Sequence, residues 1–262
     1  MLALTGCLFD GDTLHPHATV LIQDGVILEV GTNLPIPAGT LVLDAGPDGT
    51  ILPGLIDLHV HARPDYAHWF PEAGVTTVRD AGNSLDVIRD LRTLAHSGEG
   101  PRVYASGTIL DGEDSIFQHF GEGVLIEVGD QRAGAWILQN VQDAQGAVDA
   151  LVAAGVDTVK LYEQLPPDAF QAAVQRARDH GLPVMTDLGT RFTRGLDGAR
   201  VDALEALDMG VRTIEHASGF ALAFQRLGFD AATQFPTDDV LRQFARAVVD
   251  AGAVLVPTLS VH

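Results

Sequence analysis

The chain has 262 residues, 46% of them hydrophobic, which is room for one α/β barrel or two modest domains around a sizeable core. Sixteen basic residues face 35 acidic ones, a formal charge of −19 that repels phosphate backbones and anionic lipid and so argues against nucleic acid or a membrane as partner. No apolar run approaches the ~20 residues of a membrane helix, and the single cysteine, Cys7, excludes an intrachain disulfide, so a cytoplasmic, reducing setting is expected.

The first fifty residues read as β-structure. ALTGC (3–7) has the outline of a lipoprotein cleavage box, but neither a basic segment nor a full apolar stretch precedes it, so a strand start is expected. LHPHA (14–18) sets His15 and His17 two apart with a proline between them. ATVLIQDGVILEVG (18–31) is two apolar strands joined through Asp24-Gly25, a strong hairpin signal. GTLVLDAGPDGTILPG (39–54) adds a strand and a Gly/Pro-rich turn. These segments predict a small sandwich-like β domain over residues 1–52.

From Pro53 the rhythm changes to alternating strands and helices. Strands are predicted at 55–61, 75–80, 102–107, 156–162, 182–187, 211–216 and 253–259. Helical segments include PPDAFQAAVQRARDHG (166–181), VDALEALDMG (201–210) and TDDVLRQFARAVVDAG (237–252), the first opening on Pro-Pro-Asp and stopping at Gly181. Residues 108–131, rich in glycine and acidic side chains, are expected to form an elaborate loop over one barrel mouth. Seven strands in βα alternation predict α/β architecture with a parallel sheet over 53–262, either open or a (β/α)8 barrel of the TIM type with one strand missing. Such a barrel ordinarily takes ~250 residues. The seventh strand ends near His262, so the barrel is expected to be incomplete, its open edge calling for another segment or a second subunit, as in a homo-oligomer.

The chemistry gathers at strand ends. In LIDLHVH, His59 and His61 share one face, ~6–7 Å apart at Cα, close enough for two imidazoles to converge on one ion. His15 and His17 have the same spacing but no helix after them. Lys160, in VDTVKLY, is the only lysine beside fifteen arginines, and it sits in an apolar strand where an ammonium is costly. A lysine can lose its proton and become a nucleophile or a carbamate; an arginine cannot. Asp80, Asp187 and His216 end three further strands. Each could simply cap the next loop or helix, but together they supply donors that suit zinc, manganese or iron.

In these motifs the sequence resembles the metal-dependent amidohydrolase superfamily, most nearly its imidazolonepropionase-like and Xaa-Pro-dipeptidase-like members. LIQDGVILEVG matches the family's small sheet and ILPGLIDLHVH its first barrel strand. GVTTVRDAG, GVDTVKLY, GVRTIEHAS and AGAVLVPTLS match the second, fourth, sixth and seventh strands. The resemblance implies hydrolysis of C–N bonds in amides, cyclic amides or dipeptides by a metal-activated water. His59 and His61 would bind the more buried of one or two divalent metal ions, zinc foremost, with manganese or iron as alternatives. Lys160 would be carboxylated and bridge them, and His216 would hold the second. Tyr162 and Arg63 are candidate contacts for a small-molecule substrate.

Two departures stand out. Where the family has a histidine ending its fifth strand, this chain has Asp187, either an oxygen ligand or a lost one. The family's eighth strand carries a proton-shuttling aspartate, and the chain stops before such a strand, so a fragment or truncated form is expected. Two other readings stay open: a degenerate barrel without catalysis, and a Schiff-base lyase working through Lys160.

Overall fold

The computed structural model describes residues 1–118, 135–189 and 199–258. The chain divides into two compact units, Met1–Leu55 and Ile56–His262.

The first unit is a five-stranded sheet. β1 (Leu2–Phe9), β2 (Leu14–Gln23), β3 (Val26–Thr32) and β4 (Leu41–Asp44) run in the order β3-β2-β1-β4, and β5 (Thr50–Ile51) also pairs with β1. ALTGC lies inside β1, as expected of a strand start. The β2–β3 hairpin turns on Asp24 (φ 52°) and Gly25 (φ 77°), the two positive dihedrals of a tight primed turn that matches the twist of the strands. At the LHPHA site the register slips: Gly6 opposes Ala18 while Leu8 opposes His15, so Pro16 and His17 both stand against Cys7. His17 takes φ 58° there, and His15 bonds to Asp10 at the surface. This pair belongs to a bulge.

The second unit alternates strands and helices. β6 (Leu55–Val60), β7 (Val75–Asp80) and β8 (Arg102–Ala105) form one sheet in that order. A second sheet contains β9 (Ile109–Asp111), β10 (Ala135–Ile137), β11 (Val159–Tyr162), β12 (Val184–Asp187), β13 (Thr213–Glu215) and β14 (Val254–Val256), ordered β10-β9-β11-β12-β13-β14 with parallel pairing throughout. Hydrogen bonds tie the end of β8 to the turn before β11: Asp157 N donates to Ala105 O, and the Asp157 carboxylate accepts from Ala105 N. The helices among the described residues are α1 (Trp69–Glu72), α2 (Leu85–Ser97), α3 (Val141–Ala153), α4 (Pro167–Asp179), α5 (Ala203–Met209), α6 (Phe220–Arg226) and α7 (Asp238–Asp250). None is long and apolar enough to cross a membrane.

Local chemistry explains the boundaries. Ser84 caps α2 by accepting from Val87 N, and Gly98 ends it at φ 80°. Asp202 and Glu205 form a reciprocal capping box on α5. α4 begins after Pro166 with a second proline in its first turn. The seven strands expected from the sequence all occur. The segment from 108 onward differs, because Ile109–Asp111 is a strand rather than a loop. Ile109 and Leu110 are fully buried, and β9 pairs with both β10 and β11. Three residues beside a Gly/Asp-rich stretch are too few for their alternation to show. The rest of that expected loop, from residue 119, lies outside the described residues.

The main core lies between the second sheet and its helices. Leu110, Val159, Leu161, Val184 and Ile214 from the strands meet Val148, Leu151, Phe170 and Val174 from α3 and α4. A smaller cluster of Val78, Ile88, Leu91 and Val103 serves the first sheet. At roughly 1.5–3 kcal/mol per buried large aliphatic side chain, these contacts are the main stabilising contribution.

Candidate metal centre

Strand alternation sets which side chains meet. Val159 and Leu161 of β11 go to the helix-facing core, so Lys160 and Tyr162 take the other face. In the same way Val184 leaves Asp187 opposite in β12, Ile214 leaves Glu215 opposite in β13, and Val78 leaves Arg79 opposite in β7. Val60 packs on the smaller cluster, so His59 of β6 turns away from it.

Three imidazoles gather on that face. The His59 ring lies 5.4 Å from that of His61 and 4.5 Å from that of His216, centroid to centroid. His216 Nε2 stands 3.5 Å from Asp187 Oδ2. Lys160 is 1% exposed, and its charge acts on His61, Glu215 and His216. Its Nζ lies 6.0 Å from the centre of the Tyr162 ring. His59, His61, Lys160, Asp187 and His216 therefore share one neighbourhood. Tyr162 borders it, with its ring packed 5.0 Å from Phe117 in a small apolar cluster. Arg63 is at the surface, bonded to Asp65.

The hydrogen bonds define the protonation of each ring. His61 Nδ1 is 2.8 Å from Gly82 O, and a carbonyl only accepts, so Nδ1 carries the proton. His216 Nδ1 is 2.5 Å from Thr258 Oγ1, whose own proton goes to Pro257 O, so this ring also donates through Nδ1. His59 Nδ1 is 2.5 Å from Glu215 Oε2. In the neutral state all three rings keep their Nε2 lone pairs for something else, the arrangement in which histidines ligate metals. The donor kinds fit a divalent ion: three such nitrogens and a carboxylate. Among the described residues, however, no three His, Cys, Asp or Glu side chains surround one point in finished coordination geometry.

Burial drives the electrostatics. It pushes the His61 imidazole down to about 4, helped by the positive charges of Lys160, His59 and His216 and opposed by the Gly82 bond. Burial also lowers His216, against the pull of Asp187. For Glu215 burial acts upward, but the bond from His59 and the charges of Lys160 and Arg79 outweigh it and hold the carboxyl below its usual range. Both imidazoles with depressed values are neutral near pH 7, ready to bind a cation without first losing a proton.

Several participants escape a reading of the sequence. Glu215, next to His216 in IEH, is completely buried between His59 and Arg79. Strand alternation from Ile214 was the available signal. Asp80 does not join the donors. It accepts from Ala62 N, Gly82 N and Asn83 Nδ2, while Asn83 also donates to Ala62 O. This knot ties the loop after β7 to the residue after His61. A separate apolar hollow of about 680 Å³, lined by Phe220, Phe224, Phe244 and Val248, holds none of these donors.

The fold and donors together define a class: a parallel α/β protein with imidazole and carboxylate groups collected at the carboxyl ends of its strands. Solved structures similar to the chain include an amidohydrolase at 26% identity and TM-score 0.70, over 98% of this chain and 66% of its own. A Bifidobacterium longum protein described as a prolidase gives 24% and 0.68, over 99% of this chain and 61% of its own. A Xaa-Pro dipeptidase with methionine bound in its active site gives 20% and 0.69, over 99% and 67%. Among curated proteins, a dihydroorotase of Geobacter sp. (strain M21) is 60% identical over 51 residues, 19% of this chain and 12% of its own length. No model of a known protein family matches the chain. These relatives are amidohydrolase-superfamily proteins, so the resemblance carried by the motifs holds at that level, and the chain shares their α/β architecture with parallel sheets. The chain spans 61% of the prolidase-like relative and a far smaller share of the dihydroorotases.

Proposed function

We propose that this chain carries the metal-binding site of a hydrolase that cleaves amide-type C–N bonds, in a dipeptide or a cyclic amide. The observation that carries the reading is the set of three rings tied through Nδ1 to fixed acceptors, with Asp187 and the sole lysine beside them. Relatives named as dipeptidase and dihydroorotase support the bond type.

In this reading His59 and His61 would hold one divalent ion, and His216 with Asp187 would hold a second. Lys160 would add oxygen ligands as a carbamate, which its amine can form with carbon dioxide and a guanidinium cannot. Zinc suits the donors best, with manganese or iron as alternatives. Bound there, such ions would bring the pKa of a water towards neutrality and polarise a substrate carbonyl. The chain's own residues do the rest. Gly82 O, Thr258 Oγ1 and Glu215 orient the rings. Asp187, 2% exposed, brings a carboxylate oxygen to 3.5 Å from His216 Nε2. Tyr162 and Arg63 are proposed as substrate contacts.

The test is zinc content by elemental analysis, with hydrolysis of Xaa-Pro dipeptides and of dihydroorotate measured in parallel. Lys160→Arg and His59→Ala are each expected to abolish zinc uptake and any turnover. Full zinc occupancy in either variant would overturn the ligand assignment.

A further inference from the structure

Glu215 and Arg79 are unlike anything the metal chemistry alone demands. Glu215 is wholly buried, accepts from His59 Nδ1 at 2.5 Å through one oxygen and takes Arg79 Nη2 at 2.6 Å on the other. Arg79 also donates through Nε to Leu58 O at 2.7 Å, the carbonyl just before His59. One guanidinium thus grips the backbone of β6 and the carboxylate of β13 at once, and that carboxylate grips the ring of His59. His61 and His216 have only a carbonyl and a hydroxyl in the equivalent place.

We propose that Glu215, backed by Arg79, is a positioning residue that fixes the tautomer and the direction of the His59 ring, making its Nε2 the strongest of the three nitrogen donors. A carboxylate accepts the Nδ1 proton more strongly than a neutral oxygen and raises the basicity of the opposite nitrogen. Arg79 keeps Glu215 ionised, and therefore an acceptor only. The arrangement has a sharp consequence for Glu215→Gln. An amide offers one acceptor oxygen, and the fixed guanidinium claims it. The NH2 group must then face His59 Nδ1, which becomes an acceptor, so the ring proton moves to Nε2 and removes the lone pair from the site.

The tautomer is read in the metal-free chain by proton–nitrogen NMR with labelled histidine at about pH 9, above the ordinary imidazole range. His59 is assigned by comparison with His59→Asn. The wild-type ring is expected to carry its proton on Nδ1 and the Glu215→Gln ring on Nε2. In Glu215→Gln with Arg79→Met the amide oxygen is released, and the proton returns to Nδ1. A purely structural role for Glu215 would not produce this reversal. Zinc affinity should fall about 10–100-fold in Glu215→Gln and recover partly in the double variant.

An Nε2 proton on His59 in the wild-type chain would overturn the proposal without recourse to any variant. So would an unchanged tautomer in folded Glu215→Gln. Only the zinc arm rests on the hydrolase reading. The predicted tautomers in a chain that takes up no zinc would support the positioning role and remove that reading.

Discussion

Replacing Gly82 with alanine would add a methyl group where the backbone and its surroundings both resist one. Gly82 has φ 148°, a conformation L-residues rarely adopt, and an added Cβ would lie 2.7 Å from both Cγ1 and Cδ1 of Ile109 and 3.5 Å from His61 Cε1. The backbone contribution is about 1–3 kcal/mol and the overpacking contribution another 1–3, so Gly82→Ala should cost about 2–6 kcal/mol. Gly98→Ala is the internal control: φ is 80°, no atom lies within 4 Å of the new Cβ, and the expected cost is only about 1 kcal/mol. The difference between the two combines the contact with the stricter backbone demand at Gly82, and the double variant separates them. Ile109→Ala, at a 1% exposed site, should alone cost about 2–5 kcal/mol, but in combination with Gly82→Ala the methyl fills part of the space it opens. The double variant should therefore be about 1–3 kcal/mol better than the sum of the singles. Urea unfolding monitored by tryptophan fluorescence reads this directly, because both tryptophans, Trp69 and Trp136, belong to the unit 56–262. Equal costs for Gly82→Ala and Gly98→Ala, or additivity within about 0.5 kcal/mol in the double variant, would refute the reasoning. Since Gly82 O holds His61 Nδ1, zinc uptake should weaken along with stability.

The buried charges set two further outcomes. Burial raises the Asp80 carboxyl to about 6, outweighing the bonds from Ala62 N, Asn83 and Gly82 N. The folded chain therefore keeps a proton that the unfolded chain loses, and this contribution, on the order of 3 kcal/mol, is full below about pH 4 and gone once pH rises through 6. His61, held at about 4, acts in the opposite sense: its contribution is full above about pH 6.5 and lost as pH falls through 4, and solvent around this exposed residue keeps it smaller than that of Asp80. Asp80→Asn should therefore steepen the loss of stability between pH 6 and pH 4 and His61→Asn should flatten it, as measured by urea midpoints across that range. Asp187→Asn, which keeps an acceptor for Gly189 N but loses the charge beside His216, should lower zinc affinity about tenfold. Isothermal titration giving wild-type affinity would remove Asp187 from the ligand set.

Much of the second unit was legible in the sequence because its strands are apolar runs separated by well-signalled helices. Gly181 stands just beyond α4, Ser84 before α2 and Asp202 before α5, as helix-end chemistry requires. His59, His61, Lys160, Asp187 and His216 could be picked out because polar residues at the ends of apolar strands are conspicuous. Their supports could not. Glu215 reads as an ordinary acidic residue before a loop, and Arg79 as one of fifteen arginines, until β6, β7 and β13 are brought together in space. β9 was missed for a similar reason, since its three residues gain their identity only from their neighbours. His15 and His17 show the converse: identical spacing, but a proline and a bulge in place of a strand end.

The burial of Lys160 has a practical consequence. As the only lysine, at 1% exposure, it leaves the α-amino group as the one amine that reagents can reach in the closed protein. Any second equivalent of an amine-directed label must enter while the surroundings of Lys160 are transiently open. The rate of that second labelling is thus a clock for local opening at the candidate centre, readable by mass alone.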